Sequence, residues 1–278
     1  MRPLPFHQVD VFTESALRGN PVAVVLEADE LRERDMKALA AWTNLSETTF
    51  LLPPTDVDAD YRVRIFTPAS ELPFAGHPTL GSAHAWVAAG GRPQTPGVIR
   101  QECAAGLITI RHGGERLAFA APPMSAEDVD PAVLSQVVAA LGVDPAKVVQ
   151  SQRLDNGPVW VTLLLEDADA VLALAPDHNA LRTLPMVGVV GPHPEGGGIQ
   201  IEVRAFAASI NVPEDPVTGS LNASIAQWLI GEGVLPERYV AAQGTKVGRT
   251  GRVHLDQSDG ETWVGGSTRS LITGELRL

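Results

Sequence analysis

Three side chains in this sequence have the type and setting for proton chemistry: Glu47 in "NLSETTF", His77 in "PFAGHPTLGS" and Asp215 in "PEDPVTGS". The last two open a phrase that the chain carries twice. "HPTLGSAHAW" begins at position 77 and "DPVTGSLNAS" at position 215, 138 residues apart, and each runs polar residue, proline, two variable positions, Gly, Ser, then small and apolar residues. Pro78 and Pro216 suit the first turn of a helix, where the missing N–H has no acceptor anyway. His77 and Asp215 are therefore expected at or just before two helix starts.

A helix start has unpaired N–H groups and a positive field. Gly76, Gly219 and Ser220 are thus candidates to present backbone donors to a carboxylate. The same field keeps an imidazole at position 77 neutral, able to polarise a bond or pass a proton on. The plain structural alternatives are an N-cap for Asp215 and a capping or satisfied core imidazole for His77. Neither phrase has the glycine spacing of a phosphate-binding loop.

Glu47 has no equivalent in the second copy, because the matching position, 185, holds proline. A solvated strand-edge glutamate is the ordinary reading of such a residue. The apolar run that follows, Thr48 to Leu52, leads into a core, however. A carboxylate at the mouth of that strand is expected to be half-buried, with a raised pKa suited to general acid–base work.

The elements that must position these residues also repeat. "GNPVAVVL" (19–26) is answered by "NGPVWVTL" (156–163), each a turn feeding an apolar strand. A helical stretch at 28–44, with Leu31, Met36, Leu39, Ala40 and Trp42 available for its buried face, is answered less regularly by 167–184. Two strands at 48–67, ending R-x-F, match 186–207, and paired strands at 101–120 match 243–266. Between the copies, 122–145 reads as a loop, a helix and a glycine stop.

The fold class that follows is α+β, with two similar lobes, each a β-sheet wrapped around a central apolar helix. The expected lobes are 1–125 and 126–266, with 79–89 and 218–230 as the central helices. The last segment, 267–278, has no counterpart and is available to return as a strand to the first lobe. If the lobes are related by a pseudo-twofold, both helix starts face one cleft, which is where an active site is expected.

Bulk properties narrow the function. The chain has 278 residues, enough for two lobes with their own cores, and a net charge of −12 that disfavours nucleic acid. No apolar run approaches membrane-spanning length and the first residues alternate like a strand, so the expectation is a cytoplasmic protein with no membrane partner. Its one cysteine, Cys103, excludes an internal disulfide and a cysteine metal cluster. Of the seven His, His77 and His84 form the one close pair. They are helical neighbours, and His84 reads better as a packed residue than as a metal ligand, so no metal is expected.

"NLSETTF", "FTPASELPFAGHPTLGSAHAW" and "INVPEDPVTGSLNASIAQWL" resemble the signature segments of the PhzF family, named for the phenazine-biosynthesis isomerase. "VDVFTESALRGNPVAVVL" and "QGTKVGRTGRVHL" fit as well, so the likeness covers nearly the whole chain. The resemblance implies the diaminopimelate-epimerase-like fold, no cofactor, a homodimer and a small, cyclic, amino-acid-like carboxylate as substrate. It implies that Glu47 carries a proton between carbons, supported by His77, Asp215 and Ser220, with the Gly76 and Gly219 backbone near the substrate carboxylate. Two other readings stay open. An epimerase on this fold needs a second base, a role Asp215 is able to take, since neither helix-start turn has a cysteine. A non-catalytic binding protein would have kept the pocket without turnover.

Overall fold

In the computed structural model, which describes residues 2–114 and 116–278, the first apolar run forms β1 (Leu4–Val11). The backbone divides into two units, Met1–Ala120 with Gly265–Leu278, and Ala121–Val264. In the first unit β1 is followed by β2 (Asn20–Val25), α1 (Glu33–Thr43), β3 (Glu47–Leu52), β4 (Tyr61–Phe66), the short β5 (Glu71–Leu72), α2 (Gly76–Ala88), β6 (Val98–Cys103), β7 (Gly106–Arg111) and β8 (Leu117–Ala120). β1 lies antiparallel to β2, β2 runs parallel to β3, and β3 is antiparallel to β4. β4 then runs parallel to β6, which leads into the antiparallel β7 and β8.

α2 packs against β1, β2, β3, β6 and β8 and is buried from Gly76 through Ala83. A helix apolar on most of its faces requires that enclosure. α1 covers the other side of β3 and β4 through a core of Met36, Leu39, Ala40, Phe50 and Phe66. Trp42 does not join it. The sequence assigned it to the buried face, but it is 81% exposed. The helix begins at Glu33, not at 28, and its core stripe is Met36, Leu39 and Ala40, which leaves Trp42 on the far side. Asn44 ends α1 in the left-handed conformation (φ 53°), its N–H bonded to the Ala40 carbonyl, and so turns the chain directly into β3.

The second unit repeats the scheme. After β9 (Ser125–Glu127) and α3 (Pro131–Leu141) come β10 (Val148–Asp155), β11 (Val159–Leu165), α4 (Ala168–Ala173), α5 (His178–Leu181), β12 (Met186–Pro192), β13 (Ile201–Ala207) and β14 (Val212–Asp215). α6 (Gly219–Gly231), β15 (Arg238–Gln243), β16 (Gly251–Ser258) and β17 (Glu261–Gly266) complete it. β10 is antiparallel to β11, β11 parallel to β12, β12 antiparallel to β13, and β13 parallel to β15, the same sequence of pairings as in the first unit. Pro176 interrupts the apolar stretch that answers α1, and the Asp177 side chain caps a fresh start, so two short helices stand where the first unit has one. α6 is the buried counterpart of α2 and packs against β16. An added Cβ at Gly188 on β12 would stand 2.4 Å from Leu221 of α6. The last strand, β18 (Thr268–Leu276), pairs antiparallel with β1 along its length.

The repeated R-x-F motif has a shared structural role. Arg64 grips Glu71 with two bonds of 2.7 Å and lies over Phe66; Arg204 grips Glu214 at 3.0 and 2.8 Å and lies over Phe206. The second pair is nearly buried and Arg204 also donates to the Val171 and Leu174 carbonyls, which satisfies the guanidinium inside the unit. Among the described residues no helix is long and apolar enough to cross a membrane.

Candidate active site

β2 and β3 are parallel, so their first residues stand at one edge of the sheet: Asn20 opens β2, and Glu47 opens β3 in register with Val22. Strand alternation then assigns faces. Thr48 and Phe50 turn toward α1, with Thr48 Oγ1 2.9 Å from Thr43 Oγ1. Thr49 turns toward α2 and accepts from Ser82 Oγ at 2.9 Å, and Glu47 shares that face. The start of α2 arrives at the same edge. His77 Nε2 lies 3.2 Å from Glu47 Oε2, with the two side chains 6% and 15% exposed. His77 Nδ1 lies 3.3 Å from the amide of Asn20, which is fully buried.

Burial drives the His77 pKa down to about 3, with a hydrogen bond donated to the Pro21 carbonyl acting the other way. The ring is therefore neutral, with a single N–H. At 3.2 Å the two groups are close, but His77 Nε2 is not aligned for a hydrogen bond as it stands. Once aligned, a neutral imidazole can take either role: Nε2–H donates to a carboxylate, and in the other tautomer Nε2 accepts from a carboxylic acid. His77 is the second residue of α2, whose first internal bond runs from Thr79 N–H to the Ala75 carbonyl; the N–H groups of Gly76 and His77 come before it and point out of the helix start.

A polar lattice fixes that start. Gln101 Nε2 donates to Thr79 Oγ1 and the Tyr61 hydroxyl donates to Gln101 Oε1, both at 2.9 Å. Burial holds the Tyr61 phenol well above its usual pKa, so it remains a donor.

In the second unit Asp215 ends β14, opposite Ala205 of β13. Its Oδ2 accepts from Thr218 Oγ1 at 2.5 Å. Gln243 locks the turn: Oε1 accepts from Thr218 N–H (3.0 Å) and Asn222 Nδ2 (2.8 Å), while Nε2 donates to Thr218 Oγ1 (2.9 Å) and the Asp215 carbonyl (3.1 Å). Gly219 and Ser220 are the first two residues of α6, whose first internal bond is Asn222 N–H to the Thr218 carbonyl. Ser220 is held from outside the helix, with Oγ accepting from Trp160 Nε1 at 3.3 Å and its carbonyl from Asn156 Nδ2 at 2.9 Å.

The two phrases do not start their helices at equivalent residues. α2 begins one residue before His77, whereas α6 begins four residues after Asp215, so Asp215 is not the N-cap and Pro216 lies ahead of the helix. Pairing of β14 with β13 keeps the chain extended through Asp215, and the Gln243 clamp holds Thr218 in a β conformation. The structure thus brings Glu47, Gly76 and His77 together in the first unit, and Asp215, Gly219 and Ser220 together in the second. The sequence reading passed over Asn20, Asn156, Thr218 and Gln243. Asn20 directly precedes Pro21 and Asn156 lies two residues before Pro158 in the repeated turn segments; Gln243 opens the 243–266 stretch as Gln101 opens 101–120.

Other candidates are accounted for elsewhere. His84 accepts from Ser270 N–H at Nε2 and meets Thr268 Oγ1 at Nδ1, which ties α2 to β18. Cys103 is buried, donates to the Gly106 carbonyl and has its thiol pKa pushed up by burial, the reverse of an activated thiolate. Among the described residues no group of three or more His, Cys, Asp or Glu side chains could hold a metal ion.

Comparison with known proteins gives a consistent picture. The model of the PhzC-PhzF family, described as phenazine biosynthesis-like protein, matches residues 9–275. Antisense-enhancing sequence 1 of Schizosaccharomyces pombe is 37% identical, over 97% of each chain. Trans-2,3-dihydro-3-hydroxyanthranilate isomerase of Pseudomonas aeruginosa is 35% identical, over 88% of this chain and 87% of its own. Among solved structures, a PhzF-family phenazine biosynthesis protein of Enterococcus faecalis aligns over all of both chains with a TM-score of 0.85 and 25% identity.

Proposed function

The chain belongs to the PhzC-PhzF family and is an isomerase, and from that premise we propose that Glu47 is the single acid–base that moves a proton between two carbons of a small, cyclic, amino-acid-like carboxylate. The observation that carries this reading is the 3.2 Å contact between Glu47 and a neutral His77. In the step, a C–H bond beside a double bond breaks, its proton goes to Glu47 and its electron pair shifts the double bond by one position. The protonated Glu47 then returns the proton to the far carbon on the same face. Substrate and product are isomers, so atoms and electrons balance with no co-reactant.

His77 supports both halves. With the side chains aligned on substrate binding, it donates to the carboxylate before abstraction and accepts from the carboxylic acid after it. Asp215, held as an acceptor by Thr218, orients and polarises the substrate, and the Gly76, Gly219 and Ser220 N–H groups hold its carboxylate.

The epimerase alternative makes Asp215 a second base. Asp215 Oδ2 already accepts a 2.5 Å hydrogen bond from Thr218 Oγ1, which fixes the carboxylate in place and favours the orienting role. The experiment is a screen of cyclic and acyclic amino-acid-like carboxylates in D₂O, beginning with trans-2,3-dihydro-3-hydroxyanthranilate. Migration of a double bond supports isomerisation; inversion at one carbon without migration supports the alternative.

A further inference from the structure

Asn156 is 7% exposed and sits at the turn between β10 and β11, beside the first turn of α6. Its Nδ2 donates to the Ser220 carbonyl at 2.9 Å, while its Oδ1 is buried and accepts no hydrogen bond. The amide is not free to exchange its two ends, because a flip would set Oδ1 against the Ser220 carbonyl oxygen and lose the one bond it makes. The residue it grips is itself pinned, with Trp160 Nε1 bonded to Ser220 Oγ at 3.3 Å. A rigid acceptor without a donor therefore belongs to a side chain fastened to Ser220, the second residue of α6. In the first unit the corresponding turn places Asn20, one position further along in the repeat, against the ring of His77, so in each unit an asparagine of this turn serves the helix start.

We propose that Asn156 Oδ1 accepts a hydrogen bond from an amino group on the carbon next to the one that carries the substrate carboxylate, and so selects amino-substituted carboxylates over those without a donor there. The inference rests on the reading that the α6 start holds the carboxylate. Carboxylate donors and amine acceptor belong to adjacent groups, which matches a ligand whose two functions are separated by few bonds. The acceptor is an uncharged amide, suited to a neutral amine as well as to an ammonium ion. Removing a donor leaves the buried oxygen unsatisfied, and the protein then rejects the isostere that lacks it.

The test compares two probes of nearly equal shape, 2-aminobenzoate and 2-methylbenzoate, titrated into the full-length protein by calorimetry. The wild type is expected to bind the amino compound roughly 3- to 10-fold more tightly, the range a single hydrogen bond supplies. Asn156→Leu is expected to erase that preference while retaining 2-methylbenzoate binding. In the wild type 2-hydroxybenzoate, which also presents a donor at that carbon, is expected to bind more tightly than 2-methylbenzoate, and this covers the case in which the leucine variant fails to fold. Glu47→Gln should keep it too, which separates this inference from the identity of the base. Equal affinity of the wild type for both probes overturns the proposal, as does a preference that survives in Asn156→Leu. Failure of the wild type to bind either probe overturns the carboxylate reading and the inference together.

Discussion

Replacing Gly81 with alanine would place a methyl carbon 2.3 Å from Val22 Cγ1 and 3.4 Å from Val11 Cγ2. Carbon atoms rest about 3.5–4.0 Å apart, so α2 and β2 must separate by on the order of 1 Å. Overpacking of this kind costs about 1–3 kcal/mol, and alanine returns roughly 1 kcal/mol over glycine inside a helix. The net loss of stability is therefore small, about 0–2 kcal/mol. The loss of activity should be larger. Gly81 lies one turn after His77 on the same face of α2, and Val22 is the register partner of Glu47. The forced separation thus acts along the line that sets the 3.2 Å contact. A misplacement near 1 Å can cost about 10²-fold in rate. Thermal unfolding should show a shift of a few degrees at most, while turnover falls about 100-fold. Val22→Ala removes the obstructing methyl, so the double variant should recover most of the rate. Full turnover in Gly81→Ala would refute the argument, and so would a folded double variant as inactive as the single one.

The duplicated arginine–glutamate pairs differ in burial and should differ in cost. Glu214→Ala leaves Arg204 uncompensated inside the second unit and should cost about 3–5 kcal/mol, whereas Glu71→Ala, at a pair 27% and 33% exposed with Glu33 still on Arg64, should cost about 1 kcal/mol or less; equal shifts in urea midpoint would contradict the burial argument. His77 gives a pH signature. The unfolded ring takes up a proton below pH 6.5 that the native ring refuses until about 3, so its contribution to stability is whole above 6.5 and is lost as pH falls through that window. His77→Gln should flatten the decline in melting temperature between those values; unchanged slopes would show that the buried ring is not the cause.

What the sequence made legible was pattern. The repeat of strand pairs and of a helix apolar on every side was enough for two α+β units, because a strand's alternation and a helix's periodicity are local properties. Where the sequence misled, a non-local contact decided. Trp42 is apolar and lies in a helix, yet the core stripe of α1 is set by how the helix meets Phe50 and Phe66. The two helix-start phrases match letter for letter at Gly and Ser, yet α6 starts later than α2 because a clamp from Gln243, more than twenty residues away, holds Thr218 extended. Glu47 stood out as the carboxylate without a partner copy. That it touches His77 depends on the parallel pairing of β2 with β3, which no short window reveals. Asn20 and Asn156 were hidden by their ordinary look as turn residues.

The central claim is that one carboxylate, Glu47, carries the proton. Its most direct test is Glu47→Gln, which keeps shape and removes basicity, followed in D₂O with the substrate found active for the wild type. Turnover and deuterium incorporation into substrate and product should both fall, by at least the ~10²–10⁴-fold that general acid–base catalysis supplies, while the variant keeps the wild-type fold and probe binding. Near-normal deuterium exchange in Glu47→Gln, together with its loss in Asp215→Asn, would contradict the account and move the base to the second unit.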